Sequence, residues 1–197
     1  ESNKDIEFRN GTKIHGNGNF NTYLIKCNSN LEIEWYKTYE EISFLLAEET
    51  SDGGIITVVD NYYKEPLNLG NGVYLDSNPE HCTTALIKFN KNGIAEWAKS
   101  IEDAEVWVSK ISEQENNIIQ VEGEIYGTIN INDNKTIGTP ENYTNILFRY
   151  TPQEVDTQVE VESAYQIGGD YQDFLNNVVT TEDGGYITSG SQTTSEN

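Results

Sequence analysis

Lys26 and Glu34 stand eight residues apart, and so do Lys88 and Glu96. A lysine and a carboxylate held at a fixed separation could pass a proton between them, which is the chemistry of an acid–base pair. Arg149 holds the matching place in a third, weaker copy. Asp52 and Asp183 each precede a glycine pair, Gly53 and Gly54 in one case and Gly184 and Gly185 in the other. Calcium would need several oxygen ligands converging, and no D-x-D-x-D-G pattern is present. His15, His81 and Cys82 are zinc-type donors, but no C-x-x-C or H-x-x-x-H spacing joins them. No serine nucleophile elbow or phosphate loop occurs. The sequence therefore predicts no cofactor and no metal, and it assigns no residue a catalytic role.

The spacing of these residues has a simpler source. Tyr23-Leu-Ile-Lys-Cys-Asn-Ser-Asn-Leu-Glu-Ile-Glu-Trp35 returns as Ala85-Leu-Ile-Lys-Phe-Asn-Lys-Asn-Gly-Ile-Ala-Glu-Trp97. Lys26 and Lys88 are 62 residues apart, as are Trp35 and Trp97, and Arg149 follows Lys88 by 61. Ser51-Asp-Gly-Gly-Ile-Ile56 returns as Glu182-Asp-Gly-Gly-Tyr-Ile187, with a degenerate copy at Gln114-Glu-Asn-Asn-Ile-Ile119 between them. Two landmarks keeping one order and one spacing identify an internal repeat of about 60 residues. Active sites rarely recur once per repeat, so Lys26 with Glu34 and Lys88 with Glu96 are read as cross-strand ion pairs. Asp52 and Asp183 are read as turn residues beside glycines that supply positive φ.

The elements that position these residues read as strands. Apolar runs are short and β-branched, and Gly, Asn and Asp punctuate them. Asn90-Lys91-Asn92-Gly93 suits a type I turn closed by a left-handed glycine. That register sets Lys88 opposite Glu96 and Ile87 opposite Trp97. The same register sets Lys26 opposite Glu34, and Ile25 opposite Trp35. In the third copy a turn one residue longer sets Arg149 opposite Gln158, with Val159 at the tryptophan place. Trp35 and Trp97 are expected to be buried, packing neighbouring units together. About four strands fit each repeat: Ile42 to Glu49, Gly54 to Tyr62, Thr83 to Phe89 and Ile94 to Ser100 in one unit, with a second unit from about Glu105 to Val161.

These units resemble the β-propeller repeats of bacterial surface and secreted proteins. The resemblance rests on Leu86, Lys88, Asn90, Gly93 and Trp97, then on Asp183, Gly184, Gly185, Tyr186 and Ile187. It covers nearly the whole chain, although 110–145 matches poorly. It implies an all-β fold, a propeller-like array of four-stranded antiparallel blades, and an extracellular or cell-surface bacterial setting. It implies no catalytic residues. The expected organisation is a partial blade at 1–40, blades at 41–102 and 103–163, and a partial blade at 164–197, so that one of about three repeats is split between the chain ends. A chain beginning at Glu1 without any Met points to a processed or partial product. Three arrangements fit: a segment of a longer propeller, two chains forming one ring by self-association, or an open stack of sheets.

Composition narrows the function. The net charge is -21, with 12 basic and 33 acidic residues, which argues against a nucleic-acid partner. No apolar run approaches a transmembrane span. Cys27 and Cys82 are too few for a disulfide framework and are expected as separate thiols. The expected function is a non-catalytic binding or scaffold module for a protein or glycan ligand. The alternatives are a carboxylate-dependent glycan hydrolase or lyase, and a purely structural spacer.

Overall fold

A computed structural model describes residues 6–7, 11, 13–14, 22–39, 41–80, 82–101, 105–132, 135–152, 159–167, 173–180 and 186–192. The fold is all-β, with several antiparallel sheets. Among the described residues the single helical element is a 3-10 turn at Glu115–Asn117. No helix there is long and apolar enough to cross a membrane. The chain divides into two compact units, Glu1–Ser100 and Ile101–Asn197.

The first unit starts with a two-residue ladder of β1 (Ile6–Glu7) and β2 (Lys13–Ile14). The hairpin of β3 (Thr22–Cys27) and β4 (Ile33–Tyr39) follows. A four-stranded sheet comes next: β5 (Ile42–Glu49), β6 (Ile55–Asn61), β9 (Thr83–Phe89) and β10 (Ala95–Ile101), adjacent in that order. The two central strands carry Ile55, Ile56, Val58, Val59, Ala85, Leu86, Ile87 and Phe89, all buried. Such nearly continuous apolar runs belong to strands covered on both faces. Between β6 and β9 the chain makes a small hairpin of β7 (Leu67–Gly70) and β8 (Val73–Leu75), which lies outside the four-strand repeat pattern. Its Leu69, Val73 and Leu75 join the core formed by Ile42, Val59, Ile87 and Phe89.

The second unit has a four-stranded sheet of β11 (Glu105–Glu113), β12 (Ile119–Asn132), β13 (Lys135–Pro152) and β14 (Val159–Ile167), again in chain order. Here β12 and β13 continue past the common pairing as a long arm, with a register shift after Tyr126. A two-stranded sheet of β15 (Asp173–Thr180) and β16 (Tyr186–Gln192) ends the described chain.

The repeat is visible in the hydrogen bonding. Four turns close alike: Asn28 N donates to Glu32 O, Thr50 N to Gly54 O, Asn90 N to Ile94 O, and Gln114 N to Ile118 O, at 2.7–3.0 Å. Each has a left-handed residue at its fourth position: Leu31 (φ 63), Gly53 (φ 78), Gly93 (φ 73) and Asn117 (φ 61). Glycine or Asn adopts that conformation without the steric penalty that Leu31 bears. The β5–β6, β11–β12 and β15–β16 pairs share a further detail. Each first strand carries one extra, bulged residue four places before its end: Leu45, Ser109 and Asn176.

The structure corrects two registers. Lys26 lies opposite Trp35, and Ile25 opposite Tyr36, because Glu34 is a bulge residue that displaces β4 by one place. Arg149 lies opposite Ser163 rather than Gln158, with a bulge after it that leaves Glu162 as the extra residue. The third copy lacks the Asn-x-x-Gly turn, and its strands stop at Pro152 and resume at Val159. Gln158 lies outside the described residues. In this copy Ser163 is the residue opposite Arg149, and Val159 lies opposite Pro152.

Candidate functional site

The recurrent charged residues form two different clusters. Lys88 is buried on β9, at 6% exposure. Its Nζ donates to Asp52 Oδ2 at 2.8 Å, to Glu96 Oε2 at 3.1 Å and to the Phe89 carbonyl at 3.2 Å. Asp52 also accepts from the Thr50 hydroxyl at 2.6 Å and from Gly54 N at 2.8 Å. Partial burial alone would raise the Asp52 pKa. The hydrogen bonds from Lys88, Thr50 and Gly54, with the Lys88 charge, outweigh it and hold the group at about 2. Gly54 is needed for close approach, since a Cβ there would collide with the Phe89 carbonyl and with Lys88 Nζ. An ammonium saturated by two carboxylates and a carbonyl ties the hairpin of β5–β6 to that of β9–β10. That is a structural clasp.

Lys26 has no such clasp. It donates to the Gly53 carbonyl and lies 3.4 Å from Glu49, while Glu34 is left to the solvent. Lys26, Glu34 and Trp35 instead line an open cleft of about 490 Å³ with Gly53, Lys91 and Asn92. Trp35 forms part of its wall. The indole Nε1 donates to the Lys91 carbonyl at 2.9 Å, and the ring packs on Phe89 with centroids 6.1 Å apart. A Cβ on Gly93 would meet the same ring within 2.7 Å. Trp35 is thus half-buried, less than expected, whereas Trp97 is 8% exposed. The hairpin tip at Gly93 is seated on Trp35, so one tryptophan does join neighbouring sheets within the first unit.

In the second unit the polarity of the buried charge reverses. Glu122 is buried on β12 and accepts from Lys110 Nζ at 3.2 Å and Gln120 Nε2 at 3.0 Å. Arg149 lies opposite Gln120 in the ladder. Asp183, Gly184 and Gly185 fall outside the described residues, as do His15 and His81. Among the described residues no group of three or more His, Cys, Asp and Glu side chains could hold a metal ion. Cys27 is exposed and Cys82 half-buried, both as free thiols. Burial, then the nearby Asp60 charge, pushes the Cys82 thiol up, so it is a poor nucleophile.

Trp107, Tyr126 and Tyr143 project from one face of the β11–β12–β13 sheet at 46%, 38% and 40% exposure. Tyr143 sits between the other two, with ring centroids 5.5 Å from Trp107 and 5.1 Å from Tyr126. Directly opposed residues share a face. Glu124 is opposite Trp107, and Glu105 is opposite Tyr126, so two carboxylates flank the rings. Three large aromatic rings thus lie together, partly exposed, on one face of the sheet. The available signal was that one of the three tryptophans stands outside the repeat pattern. The chain matches no family model, and a search of curated proteins returned no significant match.

Proposed function

We propose that this chain is a non-catalytic glycan-binding module, built as an array of propeller-type blades and displayed at a bacterial surface or secreted. The observation that carries the binding reading is the exposed aromatic row of Trp107, Tyr143 and Tyr126 with Glu105 and Glu124 beside it. Sugar rings present C–H faces that stack on aromatic rings, and hydroxyls that donate to carboxylates. The -21 charge and the two flanking carboxylates disfavour anionic saccharides, so the ligand is a neutral oligosaccharide. The blade reading is supported by the chain-ordered, four-stranded antiparallel sheets and their repeated turns, together with the repeat pattern around Lys88 and Trp97. The extracellular setting is supported by the resemblance of that pattern to surface repeats.

The test is titration of neutral oligosaccharides, with glucan, mannan and chitin fragments as probes, followed by calorimetry. Binding should quench tryptophan fluorescence and weaken at least tenfold in Trp107→Ala and Tyr143→Ala. Absence of binding to all neutral probes, or binding that ignores both substitutions, would overturn the reading.

A further inference from the structure

Two hairpins in this chain are halves of a sheet. Among the described residues β3 pairs only with β4, and β16 only with β15. The β15–β16 pair repeats β5–β6 residue for residue at an offset of 131. Asp173 faces Gln192 as Ile42 faces Asn61, Thr180 faces Tyr186 as Glu49 faces Ile55, and Asn176 bulges as Leu45 does. β16 therefore occupies the place of β6. In the same way β3 occupies the place of β9, with Lys26 at the position of Lys88 and the turn at 28–32 closing like that at 90–94. In the complete sheet β6 and β9 are partners, with Ile55 facing Phe89 and Ile56 facing Lys88. The halves thus carry the two edges that pair in a whole sheet. Unpaired edges are ready templates for another strand.

We propose that β16 of a second copy of this chain pairs antiparallel with β3. The β6–β9 ladder fixes the register: Tyr186 opposite Cys27, Ile187 opposite Lys26, Thr188 opposite Ile25, Ser189 opposite Leu24 and Ser191 opposite Thr22. A second copy is the occupant because every chain carries both complementary edges, β3 and β16, so two copies can satisfy both through a twofold, closed arrangement. The charge of -21 on each chain opposes the association, so added salt should strengthen it.

Cys27 is exposed and supplies the probe. In a Cys82→Ser background, Tyr186→Cys should give a disulfide-linked dimer on mild oxidation, seen on a non-reducing gel. Successive residues of a strand alternate faces, so Ile187→Cys is the control that should not. Sedimentation of the unsubstituted chain should show a dimer whose fraction rises with salt. A crosslink confined to the monomer, equal crosslinking of both variants, or a monomer at every salt and protein concentration would overturn the proposal. Sedimentation reads the association even where a cysteine variant fails to fold.

Discussion

The two complete four-stranded sheets share a backbone plan and differ in which side chains they bury. In both, the first strand bulges four residues before its end, and the turn into the second strand closes with the same bond. In the first sheet the buried ion is a cation, Lys88, facing carboxylates that are half in water. In the second it is a carboxylate, Glu122, facing a half-exposed Lys110. The first sheet buries its tryptophan, Trp97, and the second exposes Trp107. Backbone hydrogen bonds and turn geometry conserve the frame. Side chains that do not define the frame differ between the sheets, and the second leaves three aromatic rings partly exposed on one face.

The largest expected contrast is between those tryptophans. Trp97→Ala should cost about 3–5 kcal/mol in urea unfolding, and Trp107→Ala less than about 1 kcal/mol. Equal losses would show that the Trp107 row is core. The buried charges come next. Lys88→Ala and Glu122→Ala should each cost about 2–4 kcal/mol, because each strands partners built around it. Glu96→Gln should cost under about 1 kcal/mol, since Glu96 is largely hydrated and Asp52 still holds Lys88.

The turns were the most legible part of the molecule. Asn90 and Gly93 enforce local geometry by their own chemistry, and Asn90 Oδ1 accepts from Asn92 N and Ile94 N as that geometry requires. The bulge at Glu34 was not legible, because a bulge constrains the backbone and not the residue type. It shifted Lys26 from Glu34 to Trp35, and with it the reading of the first ion pair. The β7–β8 hairpin was missed because each strand is short and its apolar residues resemble loop ornaments until Leu69 and Leu75 meet the core. Trp107 was missed for a different reason. Exposure is decided by what the rest of the chain leaves uncovered, and an aromatic on a strand looks the same in either case.

Two smaller contrasts concern the turns. Gly93→Ala should cost about 2 kcal/mol, from the positive φ and the crowding against Trp35. Leu31 occupies the equivalent place at 81% exposure, so Leu31→Gly should gain about 0.5–1 kcal/mol by releasing the left-handed strain. Thermal unfolding of the two variants should move in opposite directions. The smallest effect is acid dependence at Asp52. Its folded pKa of about 2 lies below its ordinary 3.8, so its contribution is complete above that value and fades as pH falls through 2. Half-exposure keeps this under about 1 kcal/mol. Asp52→Asn should remove that part of the acid slope between pH 4 and 2.

The passage from the second strand of a sheet to the third has a practical consequence. In the first sheet this passage folds back as β7–β8, and in the second it prolongs the ladder as an arm reaching Asn132 and Lys135. Below it the pairings of Ile55–Asn61 with Thr83–Phe89, and of Ile119–Tyr126 with Tyr143–Tyr150, are alike. The sheet thus behaves as a socket that accepts cargo of different shapes without reseating. Loop closure costs only about 0.6 kcal/mol for each doubling of length, so a foreign peptide grafted between Asn130 and Thr136 should be displayed on an undisturbed scaffold. The arm is thus a natural insertion point for added sequence.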